Sequence, residues 1–276
     1  MAYKNMAIIT ISRGSYSKGK EVAEMVAAKL RYDCISREVL IKASDHFNIP
    51  EVKLIRAIHD APSILERFDR KRQAFVAFIR SELACRVSTD NVVYHGLAGH
   101  LLLKGIPHVL KVRIIAQLED RIITAESQRA GISKEKARTL LLNDDQERRK
   151  WTQSLYGVDP WDSSLYDLVI HIHKLQVNDA VELICDAATR DQFKTTDKYK
   201  RKMDDFAIAC QVKAALVDQF SEVGVTSHFG NALIFAKSGD RVGQKLKKRV
   251  KELNNEIKGI NNLEIHFGLP LPPDAV

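Results

Sequence analysis

The chain has 276 residues, which at about 150 residues per domain predicts two domains, or one domain with a sizeable appendage. Hydrophobic residues make up 45% and charged residues 28% of the sequence, a globular balance that excludes wholesale disorder. The formal net charge of +8 favours anionic ligands such as nucleotides, but the basic residues are too dispersed to predict nucleic-acid binding.

Cysteine spacing and the lack of long apolar runs indicate the compartment. The four cysteines are far apart and form no CxxC pair, which argues against a zinc or disulfide framework and favours a reducing cytosol. The apolar run before Arg13 is too short for a secretory signal, and no segment approaches the roughly 18 apolar residues of a membrane span. We therefore expect a cytoplasmic protein that is not embedded in a membrane.

The first two thirds of the chain alternate between buried strands and helices. Long helical stretches are predicted around Glu66–Arg86 and Glu119–Leu142. Strands separated by helices predict an α/β domain over residues 1–190, built on a parallel sheet with helices on both faces. The predicted strands are residues 6–12, Asn91–Tyr94, Val109–Ala116 and Asp167–His173.

The remaining third changes character. Residues 191–203 are rich in lysine and arginine without apolar periodicity, which favours a basic linker and leaves open an anchor for an acidic partner. Residues 204–270 then predict a small α+β domain of order αββαβ. After a first helix, its elements are strands at Val223–Phe229 and Ala232–Ala236, a helix at Asp240–Ile257 and a strand at Leu263–Phe267.

A glycine-rich segment directly after the first strand carries the clearest chemical signal. GSYSKGKE has the spacing G-x-x-x-x-G-K and opens the first helix, so backbone amides and the helix N-terminus can surround phosphate oxygens. Lys20 would then reach the β- and γ-phosphates of a bound nucleotide. The alternative is an ordinary glycine-rich β–α turn. The candidate phosphate-binding residues are Gly14, Ser15, Ser17, Lys18, Gly19, Lys20 and Glu21.

Two residues beside this loop have open roles. Glu21 follows the lysine where a magnesium-binding serine or threonine is usual, so it either holds Mg²⁺ or is simply an acidic residue favoured in a first helical turn. Arg13 is either a further phosphate contact or a charge at the end of a strand.

Beyond the loop, residues 6–188 resemble the cytidylate-kinase-like family of P-loop nucleoside monophosphate kinases. The similarity includes the loop segment, SREVL, NVVYHGLAGHLLLKGIPHVLKVRIIA, DDQERR and LYDLVIHIHKL. The resemblance implies a three-layer P-loop kinase fold. It also implies transfer of the ATP γ-phosphate to CMP or dCMP, with Mg²⁺ as cofactor. Residues 204–270 resemble a BON domain, a ligand- or surface-binding module, through their topology and the GINNLEI segment.

The same resemblance assigns residue roles. Lys20, Arg148 and Arg149 are the implied catalytic residues, and Asp145 with Arg148 matches the D-x-x-R pattern of the family's lid. An exposed i,i+3 ion pair between these two is the alternative. Arg121 resembles the arginine that opens the lid helix.

The implied monophosphate site departs from the family pattern. Arg37 matches an arginine that binds the monophosphate, unless it is only a surface arginine. The family's Gly-Arg after the second predicted strand is Gly96 followed by Leu97 here, and its aspartate before Arg37 is replaced by Ser36. His95 and His100 would supply the missing cation if protonated, whereas neutral hydrogen-bonding histidines are the alternative.

Two functions follow from these residues. The first is a phosphotransferase of the cytidylate kinase type that uses ATP. The second is a nucleotide-binding regulatory protein with weak catalysis, suggested by Glu21, Leu97 and the appended BON-like domain, which would bind a partner or ligand.

Overall fold

The computed structural model describes residues 7–36, 38–46, 69–96, 98–128, 131–237 and 241–276. These residues form two compact units, each with its own sheet. In chain order the elements are β1 (Ile8–Arg13), α1 (Gly19–Leu30), β2 (Asp33–Ile35), α2 (Glu38–His46), α3 (Asp69–Val87), β3 (Val92–Tyr94), α4 (Gly99–Leu102), β4 (Val109–Ala116), α5 (Leu118–Gln128), α6 (Lys134–Tyr156), β5 (Leu168–Ile172), α7 (Val177–Ala188), α8 (Asp197–Val217), β6 (Gly224–His228), β7 (Asn231–Ala236), α9 (Arg241–Glu256) and β8 (Asn262–Phe267).

The first unit is built on a parallel sheet of order β2-β3-β1-β4-β5. One face packs on α1 and α7, where Ile11 and Val112 share a core with Val22 and Ile184. The other face carries α4, because a Cβ on Gly99 would lie 3.2 Å from Thr10 Cγ2. Helices therefore cover both faces, which explains the nearly continuous apolar strands and confirms the predicted α/β fold.

Two local features of this unit differ from the sequence prediction. Strand β2 was not predicted, since its three residues are too short to show a periodic pattern. The helix predicted over Glu119–Leu142 is two helices in the structure. α5 ends at Gln128, Gly131 adopts a φ of +83°, and Ser133 caps α6 by accepting a hydrogen bond from the Lys136 amide.

The second unit has the order α8-β6-β7-α9-β8, so the predicted αββαβ topology is confirmed. Its sheet is β6-β7-β8, in which β6 and β7 are antiparallel and β7 and β8 are parallel. Residues 197–203 of the expected linker are helical, because α8 begins at Asp197 and the Thr196 hydroxyl accepts a hydrogen bond from the Tyr199 amide.

Helix α3 also belongs to the second unit. Ala74, Ala77 and Phe78 of α3 form a buried cluster with Ala214 and Val217 of α8. The division into residues 1–190, 191–203 and 204–270 stays a prediction about independently folding domains, as does the resemblance to a BON domain. No helix in the described parts of the chain has the length and apolar character needed to cross a membrane.

Candidate functional site

The loop between β1 and α1 curls through two left-handed residues. These are Tyr16, with a φ of 56°, and Lys18, with a φ of 61°. Neither Gly14 nor Gly19 has a positive φ, so the left-handed turns of the loop are made by non-glycine residues. Residues that alternate between right- and left-handed conformations turn their amides into one concavity, and such concavities bind anions. The loop has the form of a phosphate cradle, at the cost of strain at two non-glycine residues.

Gly19 is required for a different reason, which is close packing. A Cβ at this position would lie 2.6 Å from Arg13 Cβ, closer than real Cβ contacts allow. The Arg13 side chain therefore lies directly against the first residue of α1. A Cβ on Gly14 would meet Arg121 at 3.6 Å, an ordinary van der Waals distance.

The loop amides are available for a ligand. In the described structure, the amides of Ser15, Ser17 and Lys18 donate to no backbone carbonyl, and α1 has no side-chain cap at its N-terminus. The Ser17 hydroxyl bonds within the loop, to the Gly14 carbonyl at 3.0 Å. These unpaired amides lie at the positive end of α1, where an anion is favoured.

The charged residues of the first turn of α1 lie on its exposed side. Lys20 Nζ is 3.6 Å from Glu24 Oε1, and the Lys20 side chain is 65% exposed. An exposed i,i+4 pair contributes about 0.5 kcal/mol or less, so Lys20 can leave Glu24 at little cost. Glu21 is exposed in the same turn, and both alternatives for its role stay open.

Helix α6 contributes two carboxylates beside the loop. The Ser15 hydroxyl donates to Asp144 Oδ2 at 3.2 Å, and Asp145 accepts two hydrogen bonds from Arg121, at 2.7 and 2.9 Å. Arg121 Nε also donates to the Ser15 carbonyl at 2.8 Å. The alternative of an Asp145–Arg148 pair is therefore wrong in this structure, because Arg121 is the partner of Asp145. These bonds fix α5 and α6 against the loop.

Two guanidinium groups converge behind the loop. Arg148 Nη1 donates to the Arg13 carbonyl at 3.3 Å. Burial lowers the pKa of both arginines, and the charge of Arg148 lowers the pKa of Arg13 further. Arg13 Nε is buried without a hydrogen-bond partner, and neither arginine forms an ion pair within the described residues. Asp144 and Asp145 raise the pKa of Arg148, and Glu24 raises the pKa of Arg13, so nearby carboxylates offset part of this positive charge. A bound anion would offset more of it.

The structure does not bring every predicted residue to the loop. Arg149 pairs with Asp159, and its guanidinium carbon lies 4.3 Å from the centre of the Trp161 ring. Arg149 therefore contacts Asp159 and Trp161 rather than the phosphate loop. Its catalytic role stays a prediction. Arg37 and Leu97 lie outside the described residues.

The two histidines are buried beyond β3. The His95 amide donates to the Ile35 carbonyl at 3.1 Å. His100 Nε2 lies 3.2 Å from the Tyr166 hydroxyl, and burial together with Arg113 and Lys111 lowers the pKa of His100 to about 3. His100 is therefore neutral at pH 7, which supports the hydrogen-bonding alternative over a phosphate-binding cation.

Three polar residues near the site were missed by sequence reasoning. No separate sequence signal marks Asp144, which lies in the DDQERR segment, or Tyr166, which lies in LYDLVIHIHKL. Arg113 left a signal in β4, where charged residues alternate with aliphatic ones in VLKVRIIA. On a strand buried on both faces such alternation indicates that one face has a polar partner.

A three-layer parallel α/β fold, with a loop of unpaired amides between its central strand and its first helix, defines a P-loop kinase type of fold. A family model described as the cytidylate kinase-like family matches residues 8–174, more than half of the chain. The chain belongs to this kinase-like, nucleotide-binding family.

Two known proteins illustrate the similarity. A cytidylate kinase from Methanosarcina acetivorans is 33% identical over 85 residues, which are 31% of this chain and 47% of that protein. The match thus spans about half the length of the curated relative. The crystal structure of an uncharacterized protein from Eubacterium ventriosum ATCC 27560 aligns with a TM-score of 0.52 at 20% identity. That alignment covers 66% of this chain and 98% of the other, and it supports the fold alone.

Proposed function

We propose that this protein is a nucleoside monophosphate kinase that transfers the γ-phosphate of ATP to CMP, dCMP or a related monophosphate. The observation that carries the proposal is the loop itself. Unpaired amides of Ser15, Ser17 and Lys18 lie at a helix N-terminus, with the guanidinium groups of Arg13 and Arg148 close by. Membership of the cytidylate kinase-like family supports the choice of acceptor.

Phosphoryl transfer requires the protein to position the two substrates and to neutralise the negative charge of their phosphates. An acceptor phosphate oxygen forms a bond to the γ-phosphorus while the bond to the bridging β–γ oxygen breaks, leaving ADP. The loop amides would hold the β-phosphate, and Lys20 would turn from Glu24 to the β- and γ-oxygens. Arg148 would neutralise charge on the transferring group, since its position on α6 is fixed through the Arg121–Asp145 pair.

The residues present fit a magnesium ion. Asp144 Oδ2 and Ser15 Oγ lie 3.2 Å apart beside the loop, and Mg²⁺ is commonly bound by one or two carboxylates together with substrate phosphates. Asp144 and Ser15 would hold the ion, and Glu21 is a second candidate carboxylate in the first turn of α1. When bound, Mg²⁺ would neutralise negative charge on the β- and γ-oxygens.

A coupled assay with ATP, Mg²⁺ and each common monophosphate tests the proposal directly. We expect turnover with CMP or dCMP. In parallel, Lys20→Ala should weaken ATP binding about tenfold or more by calorimetry, because a charge-assisted phosphate contact contributes about 1.5–3 kcal/mol.

The matched control is Glu24→Gln. This variant removes the same Lys20–Glu24 ion pair but no phosphate contact, so its ATP affinity should equal that of the wild type. Equal ATP affinity in Lys20→Ala would show that the loop is an ordinary turn. ATP binding without turnover of any monophosphate would refute the kinase and leave a nucleotide-binding regulatory function.

A further inference from the structure

A polar surface lies on the face of the first sheet that points away from α1. Ile11 and Val112 pack with α1, so Ser12 and Arg113, which are neighbours in the β1–β4 register, point to the opposite face. Ser12 directly precedes the residues that begin the phosphate loop. The side chains of this face therefore border the loop from the side opposite α1.

The Tyr166 hydroxyl organises this surface. It donates to the Pro160 carbonyl at 2.9 Å, accepts from Arg113 Nη1 at 3.2 Å and lies 3.2 Å from His100 Nε2. The Ser12 hydroxyl lies 3.4 Å from the same oxygen, so the Tyr166 hydroxyl links Ser12, Arg113 and His100. Burial lowers the pKa of His100 to about 3, so this histidine is neutral at pH 7. His100 Nδ1 is buried and has no hydrogen-bond partner among the described residues. The positive charge at this place belongs to Arg113 rather than to His100.

Arg113 has unused donors. Its Nη1 bonds to Pro160 and Tyr166, whereas within the described residues Nε and Nη2 have no acceptor. No carboxylate of those residues lies within ion-pair distance of the guanidinium, although the charge of Arg113 helps to lower the pKa of Asp159. The side chain is half-buried, so its charge is only partly hydrated. A planar guanidinium with free donors matches the oxygens of a phosphate monoester, which it can bind through two parallel hydrogen bonds.

We propose that Arg113 binds the phosphate of the acceptor monophosphate, from the sheet face opposite α1. The inference rests on the proposed kinase function and names a residue of its second substrate site. ATP would be held by the loop that leads into α1, and the acceptor would approach from the other side of the β1 carboxyl end. The two substrates would then meet from opposite sides of the β1 carboxyl end, as in-line phosphoryl transfer requires.

The test compares ligands with and without a phosphate. Binding of CMP, dCMP, UMP and AMP to the full chain is measured by calorimetry, and the tightest of them is compared with its own nucleoside and with ATP. Arg113→Gln should raise the Kd of the monophosphate about ten- to one-hundred-fold and leave the Kd of the nucleoside and of ATP within about twofold. Arg113→Lys keeps the positive charge but loses the planar guanidinium with its two parallel donors. Its Kd for the monophosphate should lie between those of the wild type and Arg113→Gln.

The matched control is Arg138→Gln, which removes an exposed arginine that pairs with Glu119 at 3.5 Å. It should leave all three affinities unchanged. If Arg113→Gln weakened the binding of the monophosphate and of the nucleoside equally, the inference would be overturned, because Arg113 would then only support the structure. Binding of ATP with no binding of any of the four monophosphates would also overturn it. Failure to bind ATP would instead refute the proposed kinase function itself.

Discussion

His100 shows how a single buried side chain couples stability to pH. Burial, with Arg113 and Lys111 nearby, lowers its pKa from 6.5 to about 3. Between these values the unfolded chain binds a proton that the folded chain does not. The stabilisation is therefore complete above pH 6.5 and is lost as the pH falls towards 3. From pH 7 to pH 5, this group should lower the free energy of unfolding by about 2 kcal/mol.

Urea unfolding followed by circular dichroism at both pH values measures this effect. His100→Gln removes the titrating group, so the variant should lose about 2 kcal/mol less than the wild type between pH 7 and pH 5. His228→Gln is the control, because His228 is exposed on β6, and it should retain the wild-type pH dependence. An identical pH dependence in His100→Gln would contradict a neutral, buried His100.

At the scale of elements, two glycines at the junction of β1 and α1 look equivalent in the sequence motif but have different surroundings. A methyl group on Gly19 would lie 2.6 Å from Arg13 Cβ, whereas one on Gly14 would meet its nearest atoms at 3.6 Å. Gly19→Ala should therefore destabilise the protein by about 1–3 kcal/mol through overpacking. Gly14→Ala should change the free energy of unfolding by about 0.5 kcal/mol or less.

Thermal and urea unfolding of the two variants provide the measurement, and each variant serves as the control for the other. Equal destabilisation would show that loop conformation, rather than the approach of α1 to Arg13, limits both positions.

The elements themselves were largely predictable because their signals are local. Strand β4 was predicted at its observed bounds, and the loop residues followed from glycine spacing and the preceding strand. Strand β2 was missed because three residues carry no period. The pairings that complete the site, Ser15 with Asp144 and Arg121 with Asp145, join residues 129 and 24 positions apart. No local pattern encodes such contacts, because they depend on where α5 and α6 pack.

At the scale of the whole molecule, the packing of α3 bears on the predicted division at residue 190. Phe78 of α3 is 2% exposed and lies in one cluster with Ala214 and Val217 of α8. A fragment of residues 1–190 keeps α3 but loses α8, so this apolar surface would be exposed to water. Loss of burial for one phenylalanine costs about 1.5–3 kcal/mol, and exposed apolar patches promote association.

We therefore expect the 1–190 fragment to aggregate or to bind a hydrophobic dye, and to become soluble when co-expressed with residues 191–276. Size-exclusion chromatography and dye fluorescence measure both effects. The full chain with a protease site inserted after residue 190 is the control, because cleavage after folding should leave the two pieces associated through α3 and α8. A monomeric 1–190 fragment that melts like the full chain and binds ATP equally well would show that the domain boundary lies at residue 190, with the packing of α3 on α8 dispensable.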